Sequence, residues 1–262
     1  MRPTILVFGG HDPSGGAGIQ ADIETIGSLG GHAATVITAL TAQDSHSVKA
    51  VEPVSLDLFI QQARLLLDDM SMQAIKIGMV GSIEICEAIH TLLTEHSDVP
   101  VILDPVLADG GGGYLSTDGV AEAISTLLIP LATVATPNRK ELMQLAPDGD
   151  TLQASGAELI SMGCEYLLIT GTDNPTADEE PDKVHHLLMN RDGIKELFQY
   201  PRLPNNYHGS GCTLASSIAT GIAAGENVDE AVVRGLEFTW NSLNNSFHPG
   251  SGQHFPDRFR SK

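Results

Sequence analysis

The chemistry available to this chain is concentrated in two glycine-rich stretches and a few polar residues that follow short apolar runs. In Tyr207-His208-Gly209-Ser210-Gly211-Cys212-Thr213, two glycines bracket a serine and a cysteine opens a strongly helical run. A glycine-flanked turn at a helix start aims several backbone N–H groups at one point, and the positive end of the helix dipole adds to their field. Gly209, Ser210 and Gly211 would supply those amides, and such a place binds anionic oxygens. Cys212 is the first side chain there. The field should favour its thiolate and make it a base or a nucleophile. The competing reading is an inert, buried cysteine acting as a small hydrophobe.

The second stretch, Gly9-Gly10-His11-Asp12-Pro13-Ser14-Gly15-Gly16-Ala17-Gly18-Ile19-Gln20-Ala21-Asp22, follows the first apolar run and leads into a helix. It has neither the Gly-Lys-Ser/Thr of a P-loop nor the glycine spacing of a dinucleotide fingerprint. Asp22, two turns below the loop, could accept hydrogen bonds from a substrate hydroxyl or amine, or be an exposed helix residue. Gln43 carries both a donor and an acceptor, which suits a heterocycle edge as well as a solvated loop. Met79, after Lys76-Ile77-Gly78, could pack on an aromatic ligand or fill the core. Asp104, before Pro105 and Val106, could orient a cation and its waters or cap a turn. Asn138 and Glu141 have capping-box spacing, and the same pair could order Mg²⁺ near phosphates. His11 and His208 abut the two glycine-rich loops and could touch phosphate.

The elements that must position these residues alternate. Apolar β-branched runs predict strands over 4–8, 33–38, 74–78, 101–104, 133–136 and 166–170. Amphipathic stretches predict helices over 17–28, 55–69, 82–95, 117–128, 139–145, 152–162, 212–224 and 228–245. This alternation implies parallel strands with helical crossovers, hence a three-layer α/β/α sandwich with a mainly parallel central sheet. Ligands of such sheets gather beyond the carboxyl ends of the strands, where the polar residues above fall. Residues 185–189 and 194–200 flank a hairpin turn, so an antiparallel pair joins the sheet late in the chain. The acidic segment 173–182 reads as an exposed flap, and the four glycines 110–113 as a mobile run.

The 262 residues suit one domain over 1–262. A formal net charge of −19 argues against nucleic acid as a partner, though a metal ion and backbone amides can still hold a small phosphate. The three cysteines, at 86, 164 and 212, lack metal-ligand spacing and fit a reduced, cytoplasmic setting. No apolar run is long enough for a membrane span or a signal peptide.

Together these segments resemble the hydroxymethylpyrimidine/phosphomethylpyrimidine kinases of the ribokinase-like superfamily. The resemblance runs from Gly10 to about Asn245. It rests on residues 12–22, Val36-Ile37-Thr38-Ala39-Leu40, Lys76-Ile77-Gly78-Met79, Asp104-Pro105-Val106, Thr136-Pro137-Asn138 with Glu141, and His208-Gly209-Ser210-Gly211-Cys212-Thr213. It implies a pyrimidine pocket lined by Gly10, Asp22, Gln43, Met79 and Val106, and an anion hole over 209–212 with Cys212 facing the substrate hydroxymethyl group. It also implies nucleotide contacts from Asn138, Thr170, Gly171 and His208, and Mg²⁺ held with ATP by Asp104 and Glu141. The implied reaction is ATP-dependent phosphorylation of 4-amino-5-hydroxymethyl-2-methylpyrimidine and then of its monophosphate, for thiamine biosynthesis, by a homodimer. The alternatives are a pyridoxal or pyridoxine kinase and a catalytically weak pyrimidine-binding protein. The chain departs from the family pattern where Thr170-Gly171-Thr172-Asp173 replaces a Lys-Gly-Gly-His stretch, and where a lysine of the last helix is replaced at about Leu236.

Overall fold

The computed structural model describes residues 2–107, 119–171 and 180–260. Nine strands among them form one sheet: β1 (Thr4–His11), β2 (His32–Gln43), β3 (Val48–Pro53), β4 (Ala74–Ile77), β5 (Val101–Leu103), β6 (Val134–Ala135), β7 (Tyr166–Ile169), β8 (Lys183–Asn190) and β9 (Gly193–Pro201). Their order is β3-β2-β1-β4-β5-β6-β7-β8-β9. The central run from β2 to β7 is parallel, while β3 pairs antiparallel with β2, β8 with β7 and β9 with β8.

Side chains alternate across this sheet, so consecutive residues feed two separate cores. In β1, Leu6 and Phe8 join Phe59, Ile89, Leu103 and Leu142 on one face, whereas Ile5 and Val7 join Leu214, Ile218 and Val232 on the other. The first face is covered by α2 (Leu56–Asp69), α3 (Ile83–Glu95), α4 (Val120–Ala123), α5 (Arg139–Leu145) and α6 (Leu152–Ser161). The second is covered by α1 (Gly18–Ser28), α7 (Ser210–Ala223) and α8 (Val228–Asn244). With apolar side chains buried on both faces, the middle strands read as continuous apolar runs, as the sandwich requires. Helix starts are fixed locally: Ser82, Thr151, Asn138 and Asn227 each accept a backbone N–H three residues on, the last two within full capping boxes.

Several expectations shift. β2 continues through Gln43 and turns back as β3, so residues read as a loop form a hairpin at one sheet edge. The expected helix over 117–128 is described only from Gly119. Within that part, α4 gives way to a π-helical turn, Ile124–Leu128, and a 3₁₀ turn, Ile129–Leu131. Helix α7 begins at Ser210, which puts Cys212 inside its first turn rather than at its start. The glycine run 110–113 and most of the acidic segment 173–182 lie outside the described residues. Leu236, at about the place of the lysine in the family pattern, is buried in the second core among residues of α7. Residues 246–260, which show no periodicity, form an ordered strap described below. Among the described residues no helix is long and apolar enough to cross a membrane.

Candidate active site

The strands β1, β4, β5, β6 and β7 end side by side, and the polar residues that follow them form one continuous strip. At its centre is the start of α7. Its N-cap is Gly209, at φ 78°, a left-handed conformation open to glycine and strained for other residues. Glycine offers no capping side chain, so the first-turn N–H groups, which have no partner within the helix, are left for a ligand. The first glycine-rich loop closes against this turn. Asp12 organises it, accepting from the Ser14 N–H and hydroxyl at 2.8 and 2.7 Å and from the Ala17 N–H at 2.8 Å. His208 Nε2 lies 2.9 Å from Asp12 Oδ2 and ties the two loops together. Burial opposes the Asp12 charge, but His208, Ser14 and Ala17 outweigh it and hold its pKa below the ordinary value. Gly18, at φ 59°, sits so close to the Gly10 carbonyl that a Cβ would collide with it, so α1 can start this near the strand only with glycine.

Below this turn is a buried charge cluster. Lys76, in the all-buried strand β4, is wholly inaccessible, and its ammonium lies 2.9 Å from Asp22 Oδ1. Ser216 of α7 donates to the same oxygen at 2.6 Å, while Asp22 Oδ2 has no protein partner. Asp22 is therefore not an exposed helix residue. It is 0% exposed and acts as counter-ion to Lys76 from beneath the loop. Burial favours a neutral amine, but Asp22, with Cys212 and Asp104, outweighs it and raises the Lys76 pKa. Asp104 sits under α7, with both carboxylate oxygens 3.5 Å from the point a Gly211 Cβ would occupy. Burial, only partly offset by Lys76, pushes its pKa up to about 6.

The Cys212 side chain is half-buried, beside Asp104 and the Gly18 amide. Its pKa is pushed up to about 12, first by burial and then by the charges of Asp104 and Asp22, against the pull of Lys76. The expectation of a thiolate favoured by the helix start is thus reversed. A dipole worth a fraction of a charge is outweighed by desolvation and two neighbouring carboxylates.

Beside the cluster is an apolar wall. Met79 and Ala39 pack with Val106 and with Val48 and Val51 of the β2–β3 hairpin. A Cβ on Gly10 would run into the Met79 methyl, so glycine lets the wall approach β1. The Thr38 hydroxyl donates to the Met79 carbonyl at 2.5 Å and fixes the turn after β4. Gln43 is half-buried at the end of β2, opposite Val48. Gly10, Met79 and Val106 thus meet in one apolar wall, and Gln43 is joined to it through its β-pairing partner Val48.

The other end of the strip is built differently. Asn138 Oδ1 accepts the Glu141 N–H at 2.9 Å, and Glu141 Oε2 accepts the Asn138 N–H at 2.8 Å, so the capping reading of this pair is realised. Thr170 pairs with Asn138 through a parallel bridge and donates its N–H to the Pro137 carbonyl at 2.9 Å. Gly171 packs on the His185 carbonyl, where a Cβ would clash. Among the described residues no three His, Cys, Asp or Glu side chains form a metal cage. Mg²⁺ bound with a nucleotide needs only one or two carboxylates besides phosphates and water. The buried, unpartnered Asp104 Oδ2 fits that need. Glu141 follows the adjacent strand β6.

Sequence reasoning passed over Lys76, Ser216 and Asp12 as site residues. Lys76 did leave a signal, because a lysine inside a fully apolar strand must be paired if buried. Ser216 left none, since its role depends on how α7 crosses α1.

A sandwich of this topology is the fold of the ribokinase-like small-molecule kinases. The chain belongs to the phosphomethylpyrimidine kinase family, whose profile matches residues 12–257. It is 37% identical over 255 residues to a hydroxymethylpyrimidine/phosphomethylpyrimidine kinase of Streptomyces coelicolor, covering 95% of this chain and 92% of that one. It is 36% identical to the Salmonella typhimurium protein of the same name, covering 88% of each. Among solved structures, it is similar to a Bacillus subtilis pyridoxal kinase bound to ADP, with TM-score 0.87, 27% identity and 98% of each chain covered. It is also similar to a Clostridium difficile phosphomethylpyrimidine kinase, with TM-score 0.76, 32% identity and 90% and 96% covered.

Proposed function

We propose that this protein transfers the γ-phosphoryl group of ATP to the hydroxymethyl oxygen of 4-amino-5-hydroxymethyl-2-methylpyrimidine, and then phosphorylates the monophosphate, in thiamine biosynthesis. The observation that carries this reading is the meeting, at the start of α7, of an uncapped helix turn with the Cys212–Asp104 pair, directly beside the Met79 wall. The ring would lie between Gly10, Met79 and Val106, with its polar edge toward Gln43. Phosphoryl transfer asks mainly for positioning and for neutralising charge on the equatorial oxygens. Amides of 209–212 aimed into a site shielded from water supply both.

A thiol whose pKa is about 12 is not a free base at neutral pH. In this reading the alcohol proton passes to Cys212 Sγ as the S–H proton passes to one Asp104 oxygen, leaving the other toward the cation. Mg²⁺ bound with ATP would be held by Asp104 and Glu141 and would offset phosphate charge. Asn138, Thr170, Gly171 and His208 would line the nucleotide, with backbone groups of 170–171 replacing the family's lysine. A single domain over 1–262, cytoplasmic and assembled as a homodimer, belongs to the same proposal.

A second reading, a pyridoxal kinase, is favoured by the higher structural similarity to pyridoxal kinases. One assay separates the two. Mg·ATP is supplied with the pyrimidine in one tube and with pyridoxal in another, and products are resolved by chromatography. Pyrimidine mono- and diphosphate support the leading reading, and phosphorylated pyridoxal alone overturns it.

A further inference from the structure

After α8 the chain forms a strap over 246–260 that crosses both glycine-rich loops. Phe247 and Phe255 pair through an antiparallel bridge. The His208 N–H donates to the His254 carbonyl at 2.9 Å. The Phe255 ring packs against His208, 5.6 Å between centroids, and against Gly16, where a Cβ would stand 2.8 Å from the ring. At the end of the strap Arg258 turns inward and is 2% exposed, which is rare for arginine unless its charge is matched.

Its guanidinium reaches three elements at once. Nη2 donates to the Gly16 carbonyl in the first loop at 2.5 Å. Nε donates to the Thr213 hydroxyl in the first turn of α7 at 3.0 Å. Nη1 donates to Glu24 of α1 at 3.0 Å. Thr213 in turn donates its hydroxyl to the Gly209 carbonyl at 2.8 Å, and Gly209 itself lies against the Gly16 carbonyl and within reach of Arg258 Nη2. The route from Arg258 to the N-cap of α7 is therefore one side chain long.

We infer that Arg258 is a positioning residue for the anion site: it clamps the first glycine loop to the α7 cap and so sets the aim of the 209–212 amides. The rigid, planar fork of arginine suits this task, since it gives parallel donors with fixed spacing, which a lysine cannot. An amide displaced by a fraction of an ångström loses much of its effect on developing charge, so a clamp outside the reacting groups acts mainly on turnover. Arg258 lies one residue beyond the segment matched by the family profile, which ends at 257. The inference rests on the anion-site reading above.

The test compares wild type with Arg258→Met, Thr213→Val, the double variant and Glu24→Gln. The readouts are kcat, KM for the pyrimidine, and the affinity for inorganic phosphate by calorimetry. Arg258→Met should lower kcat by on the order of 10- to 100-fold and weaken phosphate binding, with KM for the pyrimidine within about twofold. The double variant should be no worse than Arg258→Met, because both break one link. Glu24→Gln removes the counter-ion of the buried guanidinium and should lower the melting temperature, but its amide oxygen still accepts from Nη1, so kcat should fall less than in Arg258→Met. Wild-type kcat and phosphate affinity in Arg258→Met would overturn the clamp, as would fully additive losses spread evenly over kcat and KM. Should Arg258→Met fail to fold, Thr213→Val and Arg258→Lys carry the test, each with an intermediate loss expected. If the wild type phosphorylates neither substrate, the kinase reading falls while the phosphate affinities still judge the clamp. A wild type that binds no phosphate removes the anion-site reading and the clamp with it.

Discussion

The two ends of the site are built on opposite plans. At the end proposed to take the pyrimidine, side chains do the work: Lys76, Asp22, Ser216 and Asp104 form a buried polar cluster beside the half-buried Cys212 at the start of α7. At the end proposed to take the nucleotide, side chains secure the backbone. Asn138 and Glu141 cap α5, and Thr170 and Gly171 pack backbone against backbone. One end is held by buried charges, the other by caps and backbone hydrogen bonds.

The contrast can be broken most sharply at Lys76. Lys76→Met leaves Asp22 buried without its counter-ion and should cost about 3–5 kcal/mol of stability, measured by denaturant titration. A loss below 1 kcal/mol would mean that Asp22 simply becomes protonated and that the cluster is not structural. Next in size, Cys212→Ala should reduce turnover by on the order of 10²-fold or more with little change in melting temperature. Near-normal turnover would remove Cys212 from the proton path.

The Asp104 carboxyl gives a pH test. Its folded pKa of about 6 lies above its ordinary 3.8, so it favours the folded state fully below about pH 4, and this advantage disappears as pH rises through about 6. Asp104→Asn has no such term. The melting temperature of Asp104→Asn relative to wild type should therefore rise between pH 5 and pH 7.5. A constant difference would show that Asp104 keeps an ordinary pKa. The smallest effect belongs to the nucleotide end: Asn138→Ala should cost about 1 kcal/mol through the lost cap. An unchanged KM for ATP in that variant would confine Asn138 to capping, and a raised KM would return it to the ligand.

Much of the fold is legible in local pattern. The apolar runs at β1, β4, β5 and β7 and the capping residues of α5 and α8 are visible because period and cap chemistry act over a few residues. The β2–β3 hairpin is not, because Val48-Lys49-Ala50-Val51-Glu52 is half polar and becomes a strand only by adding to the edge of β2. The strap over 246–260 has no period at all; only its contacts with two distant loops order it.

The same division runs through the site. The sequence by itself determined which residues stand beyond the strand ends, because a βα turn needs glycine, proline and capping residues at fixed offsets. That was enough to bring Gly10, Met79, Val106, Asp104, Gly209 and Cys212 to one place. Only the tertiary structure decided their electrical state. Whether Asp22 lines a pocket or neutralises Lys76, and whether Cys212 is a thiolate or a thiol near pKa 12, depends on burial and on charges tens of residues away. Desolvation and Coulomb interaction are properties of the packed interior, and a linear pattern does not carry them.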